Sequence, residues 1–126
     1  MSSTYAKGRN FEYRVRKMLM SEGYEVQRSI LSRGPYDLIA DNRITIRLIQ
    51  CKKTKDGYMT HDERKYLIEA RDNKRLECRC TRVTAEVAFI GTDKSDKRKT
   101  PVRFKIIDDN WRIEDAMNNL KNEDAA

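Results

Sequence analysis

At 126 residues the chain is long enough to bury one core without disulfide or metal staples and too short for two comfortable domains. Charged residues make up 37% and hydrophobic residues 38%, so the surface is heavily charged while the apolar segments stay periodic, and 27 Lys and Arg against 20 Asp and Glu leave a net charge of +7 that favours nucleic acid over an acidic membrane as partner. No apolar run reaches the length of a membrane span and no secretory signal core opens the chain, which sets the expectation of an intracellular protein.

Ser2, Ser3 or Thr4 can cap a helix that runs to about Glu22 and ends at Gly23, where a left-handed residue is favoured. Phe11, Val15, Met18 and Leu19 form its apolar stripe and must pack on a sheet for the helix to be stable. Glu12 shares a flank with Arg9 and Arg16, so its plain reading is an ion pair on the helix surface. Tyr24 to Ser29 alternates and reads as a first strand at the sheet edge. Ser29 and Ser32 follow on a loop, and the guanidinium forks of Arg28 and Arg33 suit phosphate.

The Gly34-Pro35 pair breaks the chain just before Asp37-Leu38-Ile39-Ala40, so Asp37 opens a second strand. A third strand, Ile44 to Lys52, places Ile44, Ile46, Leu48, Gln50 and Lys52 on one face. A four-residue hairpin loop over 41–44 pairs Ala40 with Thr45 and sets Asp37 opposite Leu48, diagonal to Gln50 and on the same face. A loop of odd length would turn Asp37 to the other side.

Lys53 to Tyr58 is a basic strand end followed by a turn. Thr60 or Asp62 then starts a helix with Tyr66, Leu67 and Ala70 on its apolar side and Arg64, Lys65, Arg71, Lys74 and Arg75 around the remainder. Cys78-Arg79-Cys80, with Cys51 and a distant His61, lacks structural zinc spacing, and an odd number of cysteines fits reduced thiols. Val83 to Ile90 suits a buried central strand. Residues 92–100 are a polar loop, Val102 to Ile106 alternates as the last strand, and Trp111, Ile113, Ala116, Met117 and Leu120 recur at helical spacing. One domain over 1–121 and a disordered acidic tail over 122–126 complete the expectation.

Asp37, Gln50 and Lys52 together make a chemical set. Magnesium takes hard oxygen ligands, and one or two carboxylates with waters and a substrate phosphate suffice. Asp37 would be the principal ligand, with the side-chain oxygen of Gln50 and the main-chain carbonyl of Cys51 beside it. Lys52 would orient the attacking water or offset charge developing on the phosphate.

Three blocks, Lys7-Gly8-Arg9-Asn10-Phe11-Glu12, Arg28-Ser29 through Asp37-Leu38-Ile39-Ala40, and Gln50-Cys51-Lys52, resemble the PD-(D/E)xK nuclease superfamily and, within it, the archaeal Holliday-junction resolvases. They cover the first half of the chain; the second half matches only loosely. The resemblance implies an α/β fold with a restriction-endonuclease-like core, a central mixed β-sheet flanked by α-helices. It implies a structure-selective endonuclease acting on four-way DNA junctions as a homodimer in recombination and repair, with Mg2+ as cofactor and Mn2+ as a possible substitute.

By the same resemblance Glu12 joins the metal site, directly or through water, and Ser32 is the catalytic serine. The catalytic set is then Glu12, Ser32, Asp37, Gln50 and Lys52; the metal set is Glu12, Asp37, Gln50 and the Cys51 carbonyl. Lys7, Arg9, Arg28, Ser29, Arg33, Lys53 and Lys55 are the DNA-binding set. The resolvases carry Glu where this chain has Gln50, which removes one negative charge, although a Gln-x-Lys form occurs in Mrr-type restriction endonucleases. That departure keeps two alternatives open, a restriction- or repair-like nuclease of duplex DNA and a non-catalytic DNA-binding descendant.

Overall fold

The computed structural model describes residues 4–29, 34–79, 81–90 and 102–110, with side chains from residue 9 onward. Thr4–Ser21 forms α1, whose stripe Phe11, Val15 and Leu19 is fully covered. The helix stops where Gly23, at φ 95°, lets the chain reverse. Tyr24 N–H then donates to Leu19 C=O and Gly23 N–H to Met20 C=O, both at 3.1 Å, so the last carbonyls are satisfied by a Schellman turn.

The elements that follow are β1 (Glu25–Arg28), β2 (Leu38–Asp41), β3 (Thr45–Lys52), α2 (His61–Glu77), β4 (Arg82–Ile90) and β5 (Val102–Ile107). The strands form one sheet in the order β1-β2-β3-β4-β5. The pairs β1–β2, β2–β3 and β4–β5 are antiparallel, whereas β3 and β4 run parallel because α2 crosses over between them. The result is the mixed sheet with helices that the sequence implies.

A core lies on each face. Phe11, Val15 and Leu19 of α1 meet Leu38, Ala40, Ile49 and Ala88 on one side. Ile46, Leu48, Val83, Ala85 and Val87 meet Met59, Leu67 and Ile68 on the other. Strand β4 is therefore covered on both faces, which explains its nearly unbroken apolar run Val87-Ala88.

Three expectations need correction. The β2–β3 register pairs Ala40 with Arg47 and Asp41 with Ile46, two residues from the expected Ala40–Thr45 pairing. Asp41 stays in the strand, and the turn tightens because Asn42 Oδ1 accepts from the N–H groups of Ile44 and Thr45 while Arg43 takes φ 75°. An even shift keeps every side chain on its expected face. Secondly, Asp37 stands just before β2 instead of opening it: its N–H donates to Ile49 C=O at 2.9 Å. Thirdly, α2 buries Leu67, Ile68 and Arg71, leaving Tyr66 53% exposed. Arg71 can occupy a core position because its stem lies inside while the guanidinium reaches Asp72 and Asp109.

Candidate functional site

The site is built where β2 ends and β3 continues. After the bond from the Asp37 N–H to Ile49 C=O, the Asp37 carboxylate takes over as acceptor, receiving the Cys51 N–H at 2.8 Å. This anchors the carboxylate in the plane of the sheet, alongside the segment that carries Gln50 and Lys52. The main chain of Asp37 is fastened from the other side, where Ser29 N–H donates to its carbonyl at 2.8 Å. Two neighbouring strands thus hold one acid in place.

Glu12 reaches the same region from α1. Its carboxylate accepts from Nε of Arg28 on β1, so its partner comes from the sheet edge, beyond its own helix. Its side chain is only 15% exposed. Burial raises the Asp37 carboxyl above the usual range; the Cys51 N–H opposes this, the Glu12 charge adds to it, and Lys52 and Arg28 work against it. Burial, with Asp37 and Glu12 nearby, also drives the Cys51 thiol far up, so that sulfur is an inert part of the α1-side core.

Lys52 is held from the opposite face. Its ammonium pairs with Glu63, in the first turn of α2. Glu63 in turn belongs to a capping box: Thr60 Oγ1 accepts from Glu63 N–H and Glu63 Oε1 from Thr60 N–H, both at 3.2 Å. Burial works to raise the Glu63 carboxyl, but the bonds from Lys52 and Thr60 outweigh it and leave it below its ordinary value. The return turn that brings α2 back passes Gly57, at φ 67°, where a Cβ would fall 2.6 Å from the Phe89 ring. Glu63 was not among the residues expected from sequence. The Thr-x-x-Glu pattern signals the cap, but nothing in the spacing from 52 to 63 signals the ion pair.

Two clefts flank the site and differ in charge. Gly34, Pro35, Gln50 and α2's Asp62, Glu63, Tyr66 and Glu69 line one of about 560 Å³. Its three carboxylates suit cations and repel phosphate. The other, of about 130 Å³, lies between Arg9, Glu12, Tyr13 and Arg16 of α1 and Arg28 of β1. Lys53 and Lys55 are exposed just past β3. Ser32, Arg33 and the side chain of Lys7 lie outside the described residues, as do the loop at 92–100, the helical stripe from Trp111 and the acidic tail.

The structure therefore gathers Glu12 from α1, Arg28 from β1, Gln50, Cys51 and Lys52 from β3, and Asp37 from the residue just before β2. Among the described residues no three His, Cys, Asp or Glu side chains cluster as a metal site. The acids among these six residues are two hard carboxylates, Asp37 and Glu12, with the Glu12 charge acting on Asp37. That donor set fits a magnesium-type ion, which needs only one or two protein carboxylates and fills its remaining positions with water and substrate oxygen.

Among solved structures, the Archaeoglobus fulgidus Holliday junction resolvase Hjc matches with a TM-score of 0.62 and 23% identity, covering 80% of this chain and 73% of that one. This likeness identifies the mixed sheet as a restriction-endonuclease-like fold. A search of curated protein sequences returned no match. The family model for the archaeal Holliday junction resolvase (Hjc) matches residues 3–124, nearly the whole chain. The chain thus belongs to the archaeal Holliday junction resolvase family, nucleases that act on DNA.

Proposed function

We propose that this protein is a Mg2+-dependent endonuclease that resolves four-way DNA junctions by paired incisions. The observation that carries the reading is the Asp37 carboxylate fixed on the Cys51 N–H, between Gln50 and Lys52, with Glu12 close behind it. Asp37, Glu12, the side-chain oxygen of Gln50 and the Cys51 carbonyl would hold the ion, and Mn2+ would substitute. When bound, the ion supplies Lewis acidity toward a phosphoryl oxygen and a readier nucleophilic water.

The remaining chemistry falls to the chain's own groups. Lys52, clamped by Glu63, orients the attacking water and offsets charge on the phosphate. Arg28 holds a phosphate oxygen through its planar fork. Ser32 is the catalytic serine of this reading, and Lys7, Arg9, Ser29, Arg33, Lys53 and Lys55 carry the backbone of the DNA. Paired cuts across a junction need two sites related by a two-fold axis, so the working form is a homodimer. No described helix is long and apolar enough to cross a membrane, and an intracellular, DNA-associated protein is the setting this chemistry needs.

Cleavage of an immobile four-way junction beside linear duplex of the same sequence, in Mg2+ and in Mn2+, tests the reading, with Asp37→Asn as control. Opposed nicks confined to the junction, and absent from the variant, are expected. Equal cutting of both substrates would favour the duplex nuclease. Binding without cutting in either metal would favour the non-catalytic reading, for which Gln50 in place of an acid is the supporting observation.

A further inference from the structure

The smaller of the two clefts has chemistry of its own. Arg9, Glu12, Tyr13 and Arg16 follow one another along a single side of α1, and Arg28 closes the opening from β1. Three guanidinium groups face one carboxylate there, and that carboxylate already receives Arg28. The Nε of Arg16 is buried and finds no acceptor among the described residues. A buried charged donor without a partner is costly, and an oxygen-rich anion entering the cleft would remove that cost. At about 30 Å³ per water, a space of about 130 Å³ holds a handful of waters, the footprint of one phosphodiester group.

The larger cleft, lined by Asp62, Glu63 and Glu69, cannot serve the same purpose because its charge is of the wrong sign. Arg28 also acts electrostatically on Asp37, which places the basic cleft beside the cutting site. We infer that the cleft between α1 and β1 is a subsite for a DNA backbone phosphate neighbouring the scissile one, with Arg16 as its inner ligand and Arg9 and Arg28 at its rim. This inference rests on the proposed DNA-cleaving function.

Equilibrium binding to the immobile junction and to linear duplex, without divalent ions and across a salt series, tests it for wild type, Arg16→Gln and Arg9→Gln. Lys74→Gln, whose ammonium pairs with Glu77 at the far end of α2, is the control. Each neutralised phosphate contributes about 0.9 to the slope of log K against log salt. Arg16→Gln should lower the slope by about that amount and weaken binding about eightfold at 0.1 M salt. Arg16→Lys should recover most of the slope, and Lys74→Gln should leave it unchanged. Arg9→Gln, an exposed position, should also lose slope and keeps the cleft testable if Arg16→Gln reduces the melting temperature. Steep wild-type binding with unaltered slopes in both variants would overturn the subsite while leaving the nuclease reading intact. Wild-type binding that ignores salt would overturn both.

Discussion

Asp37 illustrates how one side chain can be placed for chemistry at the expense of stability. Its carboxylate is kept above the usual pKa range chiefly by burial, so ionising it costs more in the folded chain than in the unfolded one. The stability it contributes is greatest below its unfolded pKa and is lost as pH rises through the higher folded value. Asp37→Asn keeps an oxygen for the Cys51 N–H but carries no charge. In EDTA at pH 7 the variant should therefore melt at a higher temperature than wild type, an advantage that shrinks as pH falls into the carboxylate range, while cleavage is abolished. Calorimetry across pH with parallel cleavage assays would decide it; a lower melting temperature at neutral pH would assign Asp37 a structural role.

At the scale of elements, the first turn of α2 serves two ends. Thr60→Ala removes one half of the capping box and should cost about 1 kcal/mol of stability in urea melts. Glu63→Gln retains much of the cap but releases the Lys52 ammonium, so it should lower the cleavage rate by roughly tenfold to a hundredfold, with little change in substrate affinity. An unchanged rate would show that Lys52 needs no clamp. The two halves of this device were unequally legible in sequence. Thr60 was one of two residues that could start the helix, with Asp62, because capping is a local interaction, whereas the Lys52–Glu63 pair depends on how the turn through Gly57 folds back against Phe89. The same division holds elsewhere. Alternation in Ile44 to Lys52 revealed which residues share a face, but the register with β2 depended on Asn42 capping its own turn, and Arg71 read as surface because its distant partner Asp109 is invisible to periodicity.

Across the whole molecule, the two helical layers meet a sheet whose α1 side contains a charged seam. Arg47 on β3 donates twice to Glu86 on β4, both bonds at 2.8 Å, and the Thr84 hydroxyl donates to Glu86 at 2.7 Å. The guanidinium lies over the rings of Tyr24 and Phe104, 5.2 and 4.6 Å from their centres. The seam thereby ties the turn between α1 and β1 to three strands. Both side chains are nearly dry, at 13% and 6% exposure, so removing one partner strands a buried charge. Glu86→Gln alone should cost about 3–5 kcal/mol in denaturant melts, whereas replacing both residues with apolar side chains of similar volume should cost far less or nothing. A single substitution as mild as the double one would mean that water reaches the pair.

The seam also gives the protein a particular response to heat. Water's hold on charged groups weakens as temperature rises, so the penalty for keeping Arg47 and Glu86 dry falls on warming, while apolar contacts gain little more. The pair that contributes least in the cold becomes a better fastening in the hot molecule, and an apolar replacement that looks harmless at room temperature should lose ground near the melting point.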